Sequence, residues 1–211
     1  MEFDIHSMKQ RAKELMGTTK PSPRIAGVIF CIMAMVYEIV YCVLAYITGN
    51  DGMRFLLYWA IAELVYLNVR SSCSLYGLIV AREQESSISD CLAAFKEKPV
   101  SYFILGVIKD FCYCIGIMFC FVGFFVPFYL FRFSVYVIKD ENVGTFQALG
   151  KSAKLLKGHY VELIKLDISN LGWFLVVIFT YGIANFFVKP YLALVYAEFY
   201  DYLKAQQELF G

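Results

Sequence analysis

Histidine is nearly missing from this chain, with only His6 and His159 in 211 residues. A nucleophile needs a base within hydrogen-bond reach. His6 sits on a charged N-terminal stretch and His159 follows Gly158, eight positions before Asp167. No HExxH, GxSxG or glycine-rich phosphate loop occurs, so zinc-protease, hydrolase and nucleotide chemistries find no residues to carry them. Asp167 and Ser169 therefore do not read as catalytic, and the chain is expected to be no enzyme and to need no cofactor. No cleavable signal peptide is visible either. The first apolar run begins only after Pro21 and Pro23, so the segment before it is expected to remain. Of the seven cysteines, Cys31, Cys42, Cys73, Cys91, Cys112, Cys114 and Cys120, most fall inside apolar runs, where the thiol acts as a small hydrophobe. Cys112 and Cys114 would point about 200° apart on a helix, which argues against a shared metal.

What the chain does have is apolar bulk. Hydrophobic residues fill 60% of positions and mean hydropathy is +0.60, well above soluble-domain usage. Its 16 tyrosines and 20 phenylalanines suit a chain that needs both lipid-facing bulk and interface anchors. The fold class expected is an all-α, polytopic transmembrane bundle forming one integral membrane domain over residues 1–211. Six spans are predicted near 25–47, 55–80, 100–119, 123–139, 160–179 and 184–203, the fourth being short for a bilayer even with Pro127 near its start. Turn residues at Gly49-Asn50-Asp51-Gly52 and at Thr180-Tyr181-Gly182 make short joints, so the spans read as three helical hairpins.

Basic residues set the orientation. Lys9, Arg11, Lys13, Lys20 and Arg24, the loop from Arg82 to Lys98, the lysines from Lys139 to Lys157, and Lys204 fall on one side, while Arg54 and Lys189 fall on the other. The positive-inside rule then places both termini in the cytoplasm. The same bias accounts for the basic residues without nucleic acid as a partner.

Each hairpin is preceded by an amphipathic segment. Residues 1–20 carry Phe3, Met8, Ala12 and Leu15; a second segment carries Ile88, Leu92 and Phe95 after Ser86 and Ser87; a third aligns Phe146, Leu149, Ala153 and Leu156 between Asn142 and Gly158. Lys151, Lys154 and Lys157, with His159, flank the third and are candidate contacts for anionic headgroups. Packing on the bundle's cytoplasmic end is the plainer alternative. The recurring plan suggests an internal repeat, on architecture alone.

The stretch Gln147 to Tyr160, with Leu166-Asp167-Ile168-Ser169, Gly172-Trp173, Thr180-Tyr181-Gly182-Ile183, Pro190-Tyr191 and Ala197-Glu198-Phe199-Tyr200 after it, resembles an uncharacterised family of bacterial integral membrane proteins, domain of unknown function family 975. The resemblance implies a protein of the bacterial cytoplasmic membrane and no mechanism. That family is similar in plan to the membrane portion accompanying some glycerophosphodiester phosphodiesterases, but this chain has no room for their catalytic domain. Asn170 stands where an aromatic is usual, so that face of the fifth span is not purely apolar.

Intramembrane charge is costly and needs a reason. Arg70, Lys109, Asp110, Arg132, Asp167 and Glu198 form a candidate inner-leaflet belt, with Lys165 and Asp201 expected to reach the headgroups. Mutual neutralisation is the simplest arrangement, with Arg132 to Asp167 and Arg70 to Glu198 as the pairs expected from depth. The sharper alternative is a polar cavity whose cations Arg70, Lys109 and Arg132 hold an anionic headgroup. Glu38 and Glu63 either face each other or bond to neighbours such as Tyr37, Tyr41 or Asn68. The function expected is a non-enzymatic accessory or scaffold module that binds lipids or membrane-protein partners at the inner leaflet. The alternative is a small transporter of an amphiphile, with interruptions at Gly123–Pro127 and Pro190 favouring it.

Overall fold

Runs of apolar residues without strand-like alternation fold as helices throughout. The computed structural model describes residues 4–19, 22–49, 51–82, 87–118 and 122–210, and every regular element among them is helical. Phe3, Lys20, Asn50, Ser86 and Cys120, which the sequence singles out, lie outside the described residues. Helix α1 spans Ile5–Thr18 and is capped by Asp4, whose carboxylate accepts from the amides of His6 and Ser7. Long helices α2 (Pro23–Thr48) and α3 (Gly52–Ala81) follow, then a 3-10 turn at Ile88–Leu92 and the single-turn α4 (Ala93–Glu97). The rest of the chain forms α5 (Pro99–Met118), α6 (Val122–Leu130), α7 (Ser134–Glu141), α8 (Thr145–Leu155), α9 (Tyr160–Phe179) and α10 (Asn185–Phe210).

Three of these, α2, α3 and α5, are long and apolar enough to cross a membrane. Helices α9 and α10 have the length but carry more charge: Glu162, Lys165 and Asp167 in one, Lys189, Glu198 and Asp201 in the other. The exposed face of α2, with Ile32, Met35, Val36, Ile39 and Val43, is a continuous apolar surface of the kind water does not tolerate and lipid does.

The predicted fourth span is not one helix. It breaks at 131–133 into α6 and α7, about 13 and 12 Å long, so neither alone reaches across about 30 Å of hydrocarbon. Two hydroxyls hold the break open. Ser134 Oγ donates to the carbonyl of Phe131 (2.6 Å) and Ser152 Oγ, from α8, to the carbonyl of Leu130 (2.7 Å). The Leu130 carbonyl would be orphaned inside a bilayer without such a donor, and the Phe131 carbonyl would keep only the Ser134 amide (3.4 Å). Pro127 sits inside α6 rather than in its first turn.

Helices α3 and α10 form the centre, with α2, α1 and α7 against them. Their approach is set by glycines. A Cβ on Gly77 would come 2.6 Å from the backbone of Ala193, and one on Gly27 would come 1.8 Å from the carbonyl oxygen of Phe186. That oxygen lies four residues before Pro190, so it has no helical donor, and the bare glycine of α2 lets the neighbouring backbone close over it. The same device recurs at Pro127. Its own unbonded carbonyl, on Gly123, lies against Gly116 of α5, where a Cβ would be 2.6 Å away.

The amphipathic segments take three different forms. Helix α1 buries Met8, Ala12, Leu15 and Met16, chiefly against α10. The second segment buries small residues, Cys91, Ala93 and Ala94, and leaves Ile88 and Leu92 exposed, because the Ala94 amide is drawn to Ser72 Oγ (3.1 Å). In α8 the buried face is Thr145, Ala148, Leu149 and Ser152, continued by Leu156, and Phe146 is 77% exposed. The expected stripe is thus rotated, since Ser152 must face the break it caps.

Candidate functional site

Charged side chains collect in two places. At one end of the bundle, Arg82 just past α3 donates from both guanidinium nitrogens to Asp140 (2.8 and 2.7 Å) and from Nη2 to Asp201 (2.7 Å), while Lys204 Nζ (3.0 Å) and Tyr200 OH (3.2 Å) also donate to Asp140. Asp201 therefore pairs instead of reaching for headgroups alone. The Asp140 side chain is only 5% exposed. Its burial would raise the carboxyl's pKa, but hydrogen bonds from Arg82 and Lys204 outweigh that and hold it below the usual carboxylate range. Arg82, conversely, is held more firmly protonated by the two aspartates. Lys139 to Glu97 and Lys151 to Glu141 extend this ionic end.

The second group lies deeper, about 18 Å along α3 from Arg82. A cavity of about 210 Å³ opens between α3, α5, the α6–α7 break and α10, and Arg70, Lys109 and Arg132 all line it. Hydroxyls of Ser71, Ser74, Tyr113, Tyr136 and Tyr196 share the wall, which contains no carboxylate or imidazole among the described residues. The acids stand behind the cations: Arg70 pairs with Asp110 (3.0 Å), and Arg132 with Asp167 (3.0 Å). Lys109 has no hydrogen bond or ion pair among the described residues.

Arg132 is the most constrained of the three. It sits in the break itself, its guanidinium carbon 3.9 Å from the ring centre of Tyr196 and 4.9 Å from that of Phe128. Tyr196 OH donates to the second oxygen of Asp167 (2.7 Å), so α9 and α10 are joined through this one carboxylate.

The structure thus brings together Arg70, Lys109, Asp110, Arg132 and Asp167, and leaves out Glu198. Arg70 does not meet Glu198 as depth suggested. Its neighbour is Asp110 on α5, whereas Glu198 faces α1 and pairs with Arg11 (3.0 Å). Depth along a helix does not fix which face a side chain occupies. Glu63 accepts from Tyr37 OH (2.6 Å), while Glu38 is exposed, so the two glutamates do not form a dyad. Of the candidate headgroup contacts, Lys151 is paired with Glu141 and His159 Nδ1 with Glu162 (2.6 Å), while Lys154 and Lys157 stay exposed. Tyr196 and Ser74 were missed as site residues, because nothing in their spacing separates them from other polar residues in apolar helices.

These features define a class: a helical protein with apolar helices of membrane-crossing length and a cationic cavity between them. Residues 103–207, just under half of the chain, match the model of the family described as Protein of unknown function (DUF975). The match shows no link to glycerophosphodiester phosphodiesterases. No curated protein and no solved structure matches the chain.

Proposed function

We propose that this chain is a multi-pass protein of the bacterial cytoplasmic membrane that holds anionic lipid headgroups and catalyses no reaction. One observation carries the reading: three cations share the wall of a single cavity that has no carboxylate among the described residues. Each cation buried in a bilayer is costly, and only two of the three have an acid paired behind them among the described residues. An anion entering the cavity would complete the neutralisation with charge-assisted hydrogen bonds from two guanidinium forks and an ammonium. The lining offers donors but no carboxylate or imidazole among the described residues, which is why binding is favoured over catalysis. In this reading α2, α3, α5, the broken α6–α7, α9 and α10 are six crossings, with the ionic end and both termini in the cytoplasm. Lys154 and Lys157 would add headgroup contacts at that surface, and other membrane proteins could dock beside them.

A second reading, a small transporter of an amphiphile, is favoured by the break at 131–133, which sets Arg132 in an interrupted span as transporters set their binding residues. The test for both is native mass spectrometry of protein purified from its own membrane in mild detergent. Wild type should carry an anionic lipid that Lys109→Met and Arg132→Gln lose while remaining folded. Equal lipid occupancy in wild type and Lys109→Met would refute the headgroup site. Accumulation of a labelled amphiphile across proteoliposomes would move the conclusion to transport.

A further inference from the structure

The cationic cavity has a neighbour of opposite character. Between α2, α3 and α10 lies a second cavity of about 250 Å³, walled largely by Phe30, Ala34, Val69, Cys73, Leu192 and Ala193. The two cavities share Arg70, Ser74, Tyr136 and Tyr196. One partition of four side chains therefore has a polar face towards Lys109 and Arg132 and an apolar compartment on its other side. Lys189, exposed and without an ion pair among the described residues, stands at the edge of the apolar compartment.

Resting on the headgroup reading above, we infer that the two cavities form one bipartite site for a phosphate-headed amphiphile. The phosphate sits among Arg70, Lys109 and Arg132, and its hydrocarbon chain passes the Arg70–Tyr196 partition into the compartment between α2 and α10. Charge and donor accounting together point to phosphate. Arg70 and Arg132 are each offset by an aspartate, leaving Lys109 as the cation of that wall with no ion pair among the described residues. A phosphate monoester carries between one and two negative charges near neutral pH and presents several acceptor oxygens, enough for both arginine forks and the lysine at once. A carboxylate has one charge and two oxygens, and leaves part of that donor set unused. The apolar compartment supplies what a free phosphate could not exploit: a dry surface whose occupation adds about 0.8 kcal/mol per buried methylene, or roughly fourfold in affinity.

The experiment uses the full chain in detergent and a hexadecyl phosphate bearing a photoactivatable diazirine in mid-chain, with sites of attachment read by peptide mass spectrometry. Attachment is expected on α2 and α10 around Ala34 and Leu192. Butyl phosphate should compete only weakly, inorganic phosphate more weakly still, and a palmitate analogue should label the same peptides at least tenfold less. Lys109→Met should lower labelling tenfold or more. Ala34→Phe, which fills the apolar compartment, should lower labelling by the hexadecyl probe similarly, with an unfolding midpoint in detergent near the wild-type value to show that the variant is folded.

Attachment mainly to the exposed face of α9, around Phe174 and Ile178, would mark the probe as ordinary surrounding lipid and overturn the proposal. Equal competition by inorganic phosphate and hexadecyl phosphate would also overturn it, by showing that the chain contributes nothing, yet would leave the headgroup reading standing. Equal labelling by palmitate would overturn the choice of phosphate. Indifference to Lys109→Met would sink the headgroup reading itself, and this inference with it.

Discussion

The two charged groups of this protein are built from the same residue types and arranged in opposite ways. At the ionic end, Arg82 and Lys204 point inward at Asp140 and Asp201, cation against carboxylate, two against two, with Tyr200 filling a further lone pair. In the deeper cavity Arg70 and Arg132 are paired, but their aspartates stand outside the cavity wall, and Lys109 makes no ion pair among the described residues. A closed cluster neutralises itself and holds helices together. An open one keeps donors turned towards an empty volume, and in a low-dielectric setting such donors are kept at a cost to stability. On the reading proposed above, the first group is structural and the second binds.

The largest test of that contrast is to remove one member from each group. Asp140→Ala strands Lys204, leaves Arg82 with Asp201 alone at the packed end, and is expected to cost about 3 kcal/mol, read as loss of thermal or denaturant resistance in detergent. Lys109→Met should be neutral or stabilising in the same assay; a loss comparable to that of Asp140→Ala would erase the distinction. Next in size is Gly27→Val, which forces a side chain against the Phe186 carbonyl and should cost about 2 kcal/mol, whereas Gly150→Ala, whose Cβ meets open space, should cost nothing measurable.

Arg132 and Asp167 lie at the border of the two roles. Each reversed singly should cost about 1–2 kcal/mol, and the double reversal Arg132→Asp with Asp167→Arg should recover much of the stability without recovering lipid. Recovery of lipid as well would mean that Arg132 only braces the break.

Acid titration gives a finer test. Because the Asp140 carboxyl is held below its unfolded value near 3.9, its stabilising contribution is complete above that pH and is lost as pH falls through the folded value. Wild type should therefore lose stability on acidification below about pH 4 more steeply than Asp140→Asn, measured by unfolding midpoints across that range. Lys109→Met should leave the acid limb as it is. The smallest effect is expected at Phe146, exposed on α8, where Phe146→Ser should change stability by less than about 0.5 kcal/mol. If it nevertheless weakens binding of the purified protein to anionic vesicles, α8 touches the membrane surface.

Much of this was legible in the residues, and the failures have identifiable causes. Helical content and apolar runs follow from composition and periodicity, and the α1 stripe of Met8, Ala12 and Leu15 is buried as its spacing requires. The cations of the cavity could be named because charge in an apolar run is rare enough to stand out. What sequence placed wrongly was facing. Periodicity runs the α8 stripe through Phe146, the largest apolar side chain available, but the fold buries Ser152, whose hydroxyl serves a carbonyl 22 positions earlier. The break itself carries no glycine or proline at Phe131, Arg132 or Phe133, so no local signal announces it.

Sequence by itself determined that the chain is helical, that several helices are too apolar for water, and that a few charges must be accommodated among them. These are properties of single segments: hydrocarbon length, residue type and spacing. Only the tertiary structure decided that Arg70 meets Asp110 instead of Glu198, that Ser134 and Ser152 hold the α6–α7 break open, and that three cations line a volume with no acid in its wall. Each of those depends on which faces of distant helices are brought together. That is fixed by where glycines allow backbones to approach and where proline-freed carbonyls must be covered, at Gly27 and Phe186, and at Gly116 and Gly123.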